Sequence, residues 1–428
     1  MNRFLSHTAL NLTAACCSML LAQAALAEEH PYRIAVVTFL SGPASGPFGV
    51  PARNAAELLA AKLNEGAVPS PYAAKGIGGR PVELHFIDEA GGTTKQVEQF
   101  RLLEQQHEYD AVVGYISSGD CLAVAPVAEE LKQLTVFSDC GTPRIFEDAD
   151  YHYVFRTGSH STMDAVGAAY YVLDKYPRIS SYAGINQNYA FGQDAWADFT
   201  AAMHALKPDA TIATSQMPKL GAGQYGTEIS ALLAANAELV QSSFWGGDLE
   251  AFVLQAASRD LAKKSPLLLI SGEHVVAHLA DQIPDGTIVG ARGTHGLFAP
   301  NTVLSRWFAA AYTERHKEVP TYVSYKMAQA FLGLKTAYEK AAKAGAEPDR
   351  EAVIAAFENE TWETPSGTVR MGLGKGHQAL QGVAYGTVAH RDGKIVLNDV
   401  RYYPPEKVNP PEGVKSIDWI AATLKPVK

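Results

Sequence analysis

The chain has 428 residues, 47% of them hydrophobic and 19% charged, with a formal net charge of −9. That length is enough for two domains, each with its own core. The acidic balance, without Lys/Arg runs, argues against nucleic acid or an anionic membrane surface as a partner.

The N-terminus, MNRFLSHTALNLTAACCSMLLAQAALAEEH, has one basic residue, an apolar stretch and the triplet Ala25-Leu26-Ala27. It reads as a secretory signal over residues 1–27, cut at an A-x-A site before Glu28. A membrane anchor would need about 20 apolar residues, and the run falls short. Lipid attachment at Cys16 or Cys17 is the weaker alternative, because the apolar run continues past both cysteines. Loss of Arg3 with the leader takes the formal charge from −9 to −10. The mature protein is expected in a bacterial periplasm. It keeps two cysteines, Cys121 and Cys140, each after a predicted strand. A disulfide is open to them in an oxidising compartment, but sequence does not supply the Cα separation that a bridge requires. Without supporting histidines they are not a zinc site.

The first mature strand is YRIAVVTFL, followed by the loop SGPASGPFG and the helical pattern ARNAAELLAAKLNEG. A strand (82–88), a helix (93–106) and a strand ending at VVGYISSG come next. A helix (122–133) and the strand LTVFS complete the run. Around YVFRTGSHS the pattern restarts, with a helix (163–176), a strand (181–185), the loop NQNYAFGQD and a helix. ATIATSQM, a helix (225–236), LVQSSFW, LEAFVLQAASRDL, PLLLISG and a short strand near 287–290 follow. Strands alternating with amphipathic helices argue for parallel sheets with helices on both faces, in two α/β units of similar make-up. After Pro300 the pattern is mostly helical. Short strands with turns at Gly372–Gly376 and Asp392-Gly393 are expected over 367–403. These tail elements are too few for a third domain and must pack on the two units.

Ligands of open parallel sheets bind beyond the carboxyl ends of the strands. Six strands end here in SGPASGPFG, SSGDC, SDCGT, NYAFG, FWGGD and SGEH, which line one cleft if the lobes face each other. Ser117-Ser118-Gly119 leads into a helix start, where unpaired N–H groups and the dipole suit a carboxylate. The alternative is a serine that only caps the helix. Ser138–Thr142 offers carbonyls, the small Gly141 and the Thr142 hydroxyl to an ammonium or amide, or is a plain turn. Glu273 is a counter-ion for an ammonium group or a solvated acid. His274 and His278 share a helix face, but a zinc-protease pattern would place the glutamate between them. Phe48, Tyr189, Phe191 and Trp245 could cover the apolar part of a small ligand. No G-x-S-x-G elbow or G-x-x-x-x-G-K-[ST] loop is present, and GLGKG at 372–376 sits in the tail, a weak phosphate loop.

Read together, FLSGPASGPFG with AAKLNEG, GGRPVELHFIDEA, DAVVGYISSG with AVAPVAEE, YVFRTGSHS, NYAFGQD and SGEH are similar in order and spacing to one family. The chain resembles the type I periplasmic binding proteins of ABC importers, specifically the leucine/isoleucine/valine-binding family. The resemblance implies an α/β fold of two doubly wound Rossmann-like lobes joined by three crossovers, closing on a ligand. The lobes would be 28–155 with 300–375, and 156–299 with 376–428. It assigns the carboxylate contact to Ser118, backbone and threonine contacts to Cys140 and Thr142, and the ammonium-binding acid to Glu273. Phe48 and Phe191 replace the family's tyrosines, and Tyr189 could return one hydroxyl. Ser117 stands where the family has a disulfide cysteine.

The expected function is capture of a small carboxylate-bearing molecule, an amino acid or a related amide or aromatic acid. Delivery is to an inner-membrane ABC permease, by a monomer without cofactor, metal or catalytic residues. A module presenting its ligand to a membrane sensor is the second reading. A secreted hydrolase using Ser117 or Ser118 is the third, and it predicts turnover.

Overall fold

The structure, a computed structural model, describes residues 30–106, 109–276, 278–342 and 347–426. The expected signal segment lies outside the described residues. Five strands open the chain: β1 (Tyr32–Thr38), β2 (Val82–Asp88), β3 (Ala111–Gly114), β4 (Thr135–Phe137) and β5 (Val154–Arg156). They pair in parallel in the spatial order β2-β1-β3-β4-β5. Successive side chains of a strand point to opposite faces. Ile34 and Val36 accordingly join one apolar cluster, and Ala35 and Val37 another. A sheet covered on both faces needs such a continuous apolar run.

The second unit repeats the scheme with β6 (Ser181–Ile185), β7 (Thr211–Gln216), β8 (Val240–Ser242), β9 (Leu267–Leu269) and β10 (Ile288–Gly290). Their order is β7-β6-β8-β9-β10, again parallel. Leu267 and Leu269 face one core and Leu268 the other.

The chain then returns to the first lobe. Helices Val303–His316 and Tyr322–Ala342 pack on helix Val50–Glu65. That helix has proline in its first turn and ends on Gly66, whose left-handed φ of 69° lets its N–H reach the Leu63 carbonyl. The strands β11 (Thr361–Thr364), β12 (Gly367–Leu373) and β13 (Gln378–Leu380) extend the first sheet beyond β5. The hairpin of β14 (Val383–Arg391) and β15 (Lys394–Tyr403) then adds antiparallel to β10. The sheets have eight and seven strands.

Two expectations change here. The last crossing comes after Leu380, not at 375/376, because Gln378 pairs with Arg156 and its side chain donates to the Gly158 carbonyl at 3.0 Å. The glycines of 372–376 make a turn inside the first sheet, not a boundary. The strands around Asp392-Gly393 are also long, nine and ten residues, not short.

The chain passes between lobes after β5, after β10 and after β13. The first two passages are tied together by Ser159 Oγ, which donates to the Arg292 carbonyl at 2.7 Å, and Thr294 Oγ1 ties the second to the β11–β12 turn by donating to the Ser366 carbonyl at 2.7 Å. Gln381 Nε2 donates to the Thr157 carbonyl at 2.6 Å.

Candidate functional site: the interlobe cleft

Each sheet reverses its strand order once, where β1 lies between β2 and β3 and where β6 lies between β7 and β8. Such switch points are where ligands of open α/β sheets bind. The segments after β1 and β3 carry Phe48, Ser117 and Ser118. Those after β6 and β8 carry Tyr189, Phe191 and Trp245. The two sets meet across the gap: the Phe48 ring centroid is 5.1 Å from that of Trp245. Gly49 makes the Phe48 turn feasible. A Cβ there would lie 1.5 Å from the Phe39 carbonyl oxygen, so only glycine lets the loop fold back on the end of β1.

The aromatic residues form a continuous wall. Phe48 meets His274 at 4.7 Å and Tyr322 at 5.5 Å, both edge to face. Trp245 Nε1 donates to Tyr189 Oη at 2.7 Å. Tyr189 is partly exposed as a residue, but burial of its hydroxyl raises that group's pKa far above the usual value. The Arg292 guanidinium lies 4.7 Å above the Phe191 ring. Nearer the surface, a cavity of about 230 Å³ is lined from both lobes by Phe39, Pro43, Gln187, Leu220 and Trp245.

The paired serines divide their tasks. Ser117 caps helix Ser118–Glu130, its side chain accepting from Asp120 N at 3.4 Å. The N–H groups of Ile116 and Ser117 donate to the Glu89 carboxylate at 2.8 and 2.7 Å. Glu89 is fully buried, and burial together with Asp120 raises its pKa well above the carboxylate range. The expected anion cradle is therefore partly filled by the protein's own acid. Ser118 Oγ, fully buried, accepts from Gly141 N at 3.0 Å and Thr142 N at 3.1 Å. A hydroxyl has two lone pairs and one proton. With both lone pairs taken, Ser118 can offer a ligand only its proton.

The acceptors expected for an ammonium group are otherwise engaged. The Cys140 and Thr142 carbonyls both receive Arg156 Nη1, a residue that is itself buried. Thr142 Oγ1 donates to Asp194 Oδ2 at 2.6 Å, a bond between lobes, and Arg144 Nε reaches the other oxygen at 2.9 Å. Cys140 is bonded to Cys121, with their Cα atoms 6.4 Å apart. Glu273 accepts from Leu297 N at 3.1 Å and Tyr322 N at 2.8 Å, and burial pushes its carboxyl up to about 7. Its place is at the second passage between lobes, not free in the cleft. His274 points Nδ1 at the Ser271 carbonyl at 2.6 Å.

Sequence reasoning missed the charged floor. Arg292 Nη1 pairs with Asp139 Oδ1 at 2.6 Å and its Nε with Asp164 Oδ2 at 3.0 Å. Lys326 Nζ shares Asp139 Oδ1 at 2.6 Å. Burial opposes the Arg292 charge, but Asp139 and Asp164 outweigh it and raise its pKa. Burial and then the Arg292 charge push Lys326 down to about 8. Gly141 lies against this floor: a Cβ there would come within 2.5 Å of Arg292 Nη2 and the Phe191 ring. The one sequence signal for Arg292 was its place just beyond a strand end. Asp139 lies 153 residues away from it and 187 from Lys326.

Residues 31–394 match the family model described as "Periplasmic binding protein". Among solved structures, the chain is similar to a solute-binding protein of an ABC transporter from Rhodopseudomonas palustris BisB5, in complex with 3,4-dihydroxybenzoic acid. Identity is 18%, coverage 88% of this chain and 98% of the other, and the TM-score 0.74. A solute-binding protein from Rhodopseudomonas palustris HaA2, in complex with p-hydroxybenzoic acid, gives 18%, 89%, 98% and 0.75. The leucine-, isoleucine-, valine-, threonine- and alanine-binding protein of Brucella ovis, in its closed conformation, gives 18%, 89%, 97% and 0.72. No curated protein matches the chain in sequence. With two α/β lobes whose strand tips meet at one cleft, and a family match over most of its length, the chain belongs to the periplasmic binding protein family.

Proposed function

We propose that the protein is the periplasmic solute receptor of an ABC importer and that its cleft captures a small carboxylate with a flat apolar body. The observation that carries this is Ser118. Both lone pairs of its hydroxyl are occupied by the N–H groups of Gly141 and Thr142, which leaves its proton as the group it can donate to a ligand oxygen. Tyr189, whose oxygen accepts from Trp245, has its own proton to donate in the same way. Phe48, Trp245, Phe191 and Tyr322 supply flat faces for an aromatic or planar body.

An ammonium group is less well provided for. Arg156 holds the Cys140 and Thr142 carbonyls, Asp194 holds the Thr142 hydroxyl, and two backbone N–H groups hold Glu273. This favours an aromatic acid over an α-amino acid, in keeping with the benzoic acids bound by two similarly folded proteins. Both lobes touch a bound molecule only when closed, so binding favours the closed state.

A thermal-shift and calorimetric panel of benzoic acids, aliphatic amino acids and aromatic amides tests the reading. A true ligand at a hundred times its Kd adds about 2.7 kcal/mol of stability. Tighter binding of an aliphatic amino acid than of any aromatic acid would overturn the ligand class. Unchanged affinity in Ser118→Ala would remove the carboxylate contact.

A further inference from the structure

Behind the Cys140–Thr142 loop lies a second cavity of about 210 Å³, away from the aromatic cleft. Its lining includes Phe146, Arg156, His160 and Lys375, and residues 410–415 roof it. Arg156 is the unusual member. Its Nε donates to Gln378 and its Nη1 to two carbonyls. Among the described residues, no carboxylate pairs with it and Nη2 makes no hydrogen bond. The other cations of the lining are matched: Lys375 with Asp150 and Lys415 with Asp148, both at 2.7 Å. The nearby acids are likewise engaged. Glu412 accepts from Lys375 N at 2.8 Å, and Glu147 accepts from Ser416 N at 3.0 Å. His160, 2% exposed, carries an Nδ1 without a hydrogen-bond partner. Glu147 and Asp164 act on Arg156 only through space, and a buried cation without a directly paired carboxylate is costly; an unpartnered polar atom adds to the cost.

We propose that this cavity is a second binding site, selective for a small oxyanion, phosphate or carboxylate, with Arg156 Nη2 as its charged donor. The anion completes a guanidinium that already grips the loop at the base of the cleft. The glycine-rich turn at 374–376, unassigned in the cleft, forms one edge of this site. The roof continues into helix Ser416–Thr423, which packs on helix Ala190–Leu206 of the second lobe, so a bound anion bridges the lobes from behind.

The purified full-length mature protein is titrated calorimetrically with sodium phosphate and, separately, sodium acetate, at ionic strength held constant with chloride. Crystals are soaked in sodium selenate. The expected results are saturable binding of at least one anion and an anomalous selenium peak within hydrogen-bond distance of Arg156. Because Arg156→Gln can weaken folding, Val414→Glu is the second variant. It places an acid at an exposed position on the rim and is expected to weaken binding at least tenfold while the unfolding midpoint holds. Phe48→Ala, which alters the aromatic wall of the cleft and touches no residue of this cavity, is expected to leave this binding intact. The proposal is overturned by no saturable binding of either anion, by binding that Val414→Glu leaves unchanged, or by an acetate signal lost only in Phe48→Ala. Selenium found only elsewhere also overturns it.

Discussion

Arg292 Nη1 stands 2.6 Å from Asp139 Oδ1 at the base of the cleft, with 4% and 1% of the two side chains exposed. Asp139 follows a strand of the first sheet and Arg292 one of the second, so this pair joins the lobes where they hinge. Removing one partner of a buried pair leaves the others uncompensated. Arg292→Met is therefore expected to lower stability by about 3–5 kcal/mol, read from chemical denaturation. A loss well under 1 kcal/mol would show that Lys326 alone neutralises Asp139.

Gly141 allows the first-lobe loop to lie flat on Arg292 and Phe191. Neither neighbour can retreat easily, since the guanidinium is pinned by Asp139 and Asp164 and the ring is buried. In Gly141→Ala the methyl group must wedge the lobes apart. Ligand affinity is expected to fall at least tenfold, about 1.4 kcal/mol, while circular dichroism stays native. Unchanged calorimetric affinity would mean that the lobes close without this contact.

Asp198 is buried in the second lobe, with Ser161 and Thr162 hydroxyls donating at 2.8 and 2.9 Å. Burial raises its carboxyl to about 7 despite those donors. The folded state then holds a proton that the unfolded chain releases near pH 4. Its contribution to stability is present at acid pH and is lost as pH rises from about 4 to about 7. Asp198→Asn removes this dependence. Relative to the native chain, the variant is expected to gain stability, on the order of a few kcal/mol, between pH 4 and pH 8. Parallel stability curves for the two proteins would refute it.

The Cys121–Cys140 bridge spans 19 residues of sequence. Closing a loop of that size restricts the unfolded chain by about 3 kcal/mol. Double replacement by alanine is expected to lower stability by that order, seen as an earlier urea midpoint. Equal midpoints for both proteins under oxidising conditions would show that the bridge contributes nothing.

Local pattern was enough for the architecture. The apolar runs at 32–38 and 181–185 and the amphipathic stretches after them announced parallel sheets, because burial on both faces demands continuous apolar strands. The cleft residues Phe48, Ser118, Tyr189, Phe191 and Trp245 could be singled out because each sits in a loop just after a predicted strand. What those side chains do there was not. Whether Ser118 faces a ligand with a lone pair or a proton depends on Gly141 and Thr142, which the fold brings to it from the next strand end.

The sequence by itself determined the class of protein: two α/β units, loops that collect at their strand tips, and an order of motifs shared with one family. Tertiary structure alone decided the electrostatics of the cleft. Arg292, Asp139, Asp164 and Lys326 come from four separate segments, and no local signal pairs them. Their charges persist in a buried place only because the fold sets each beside its opposite, a condition of distance in space that no spacing along the chain records.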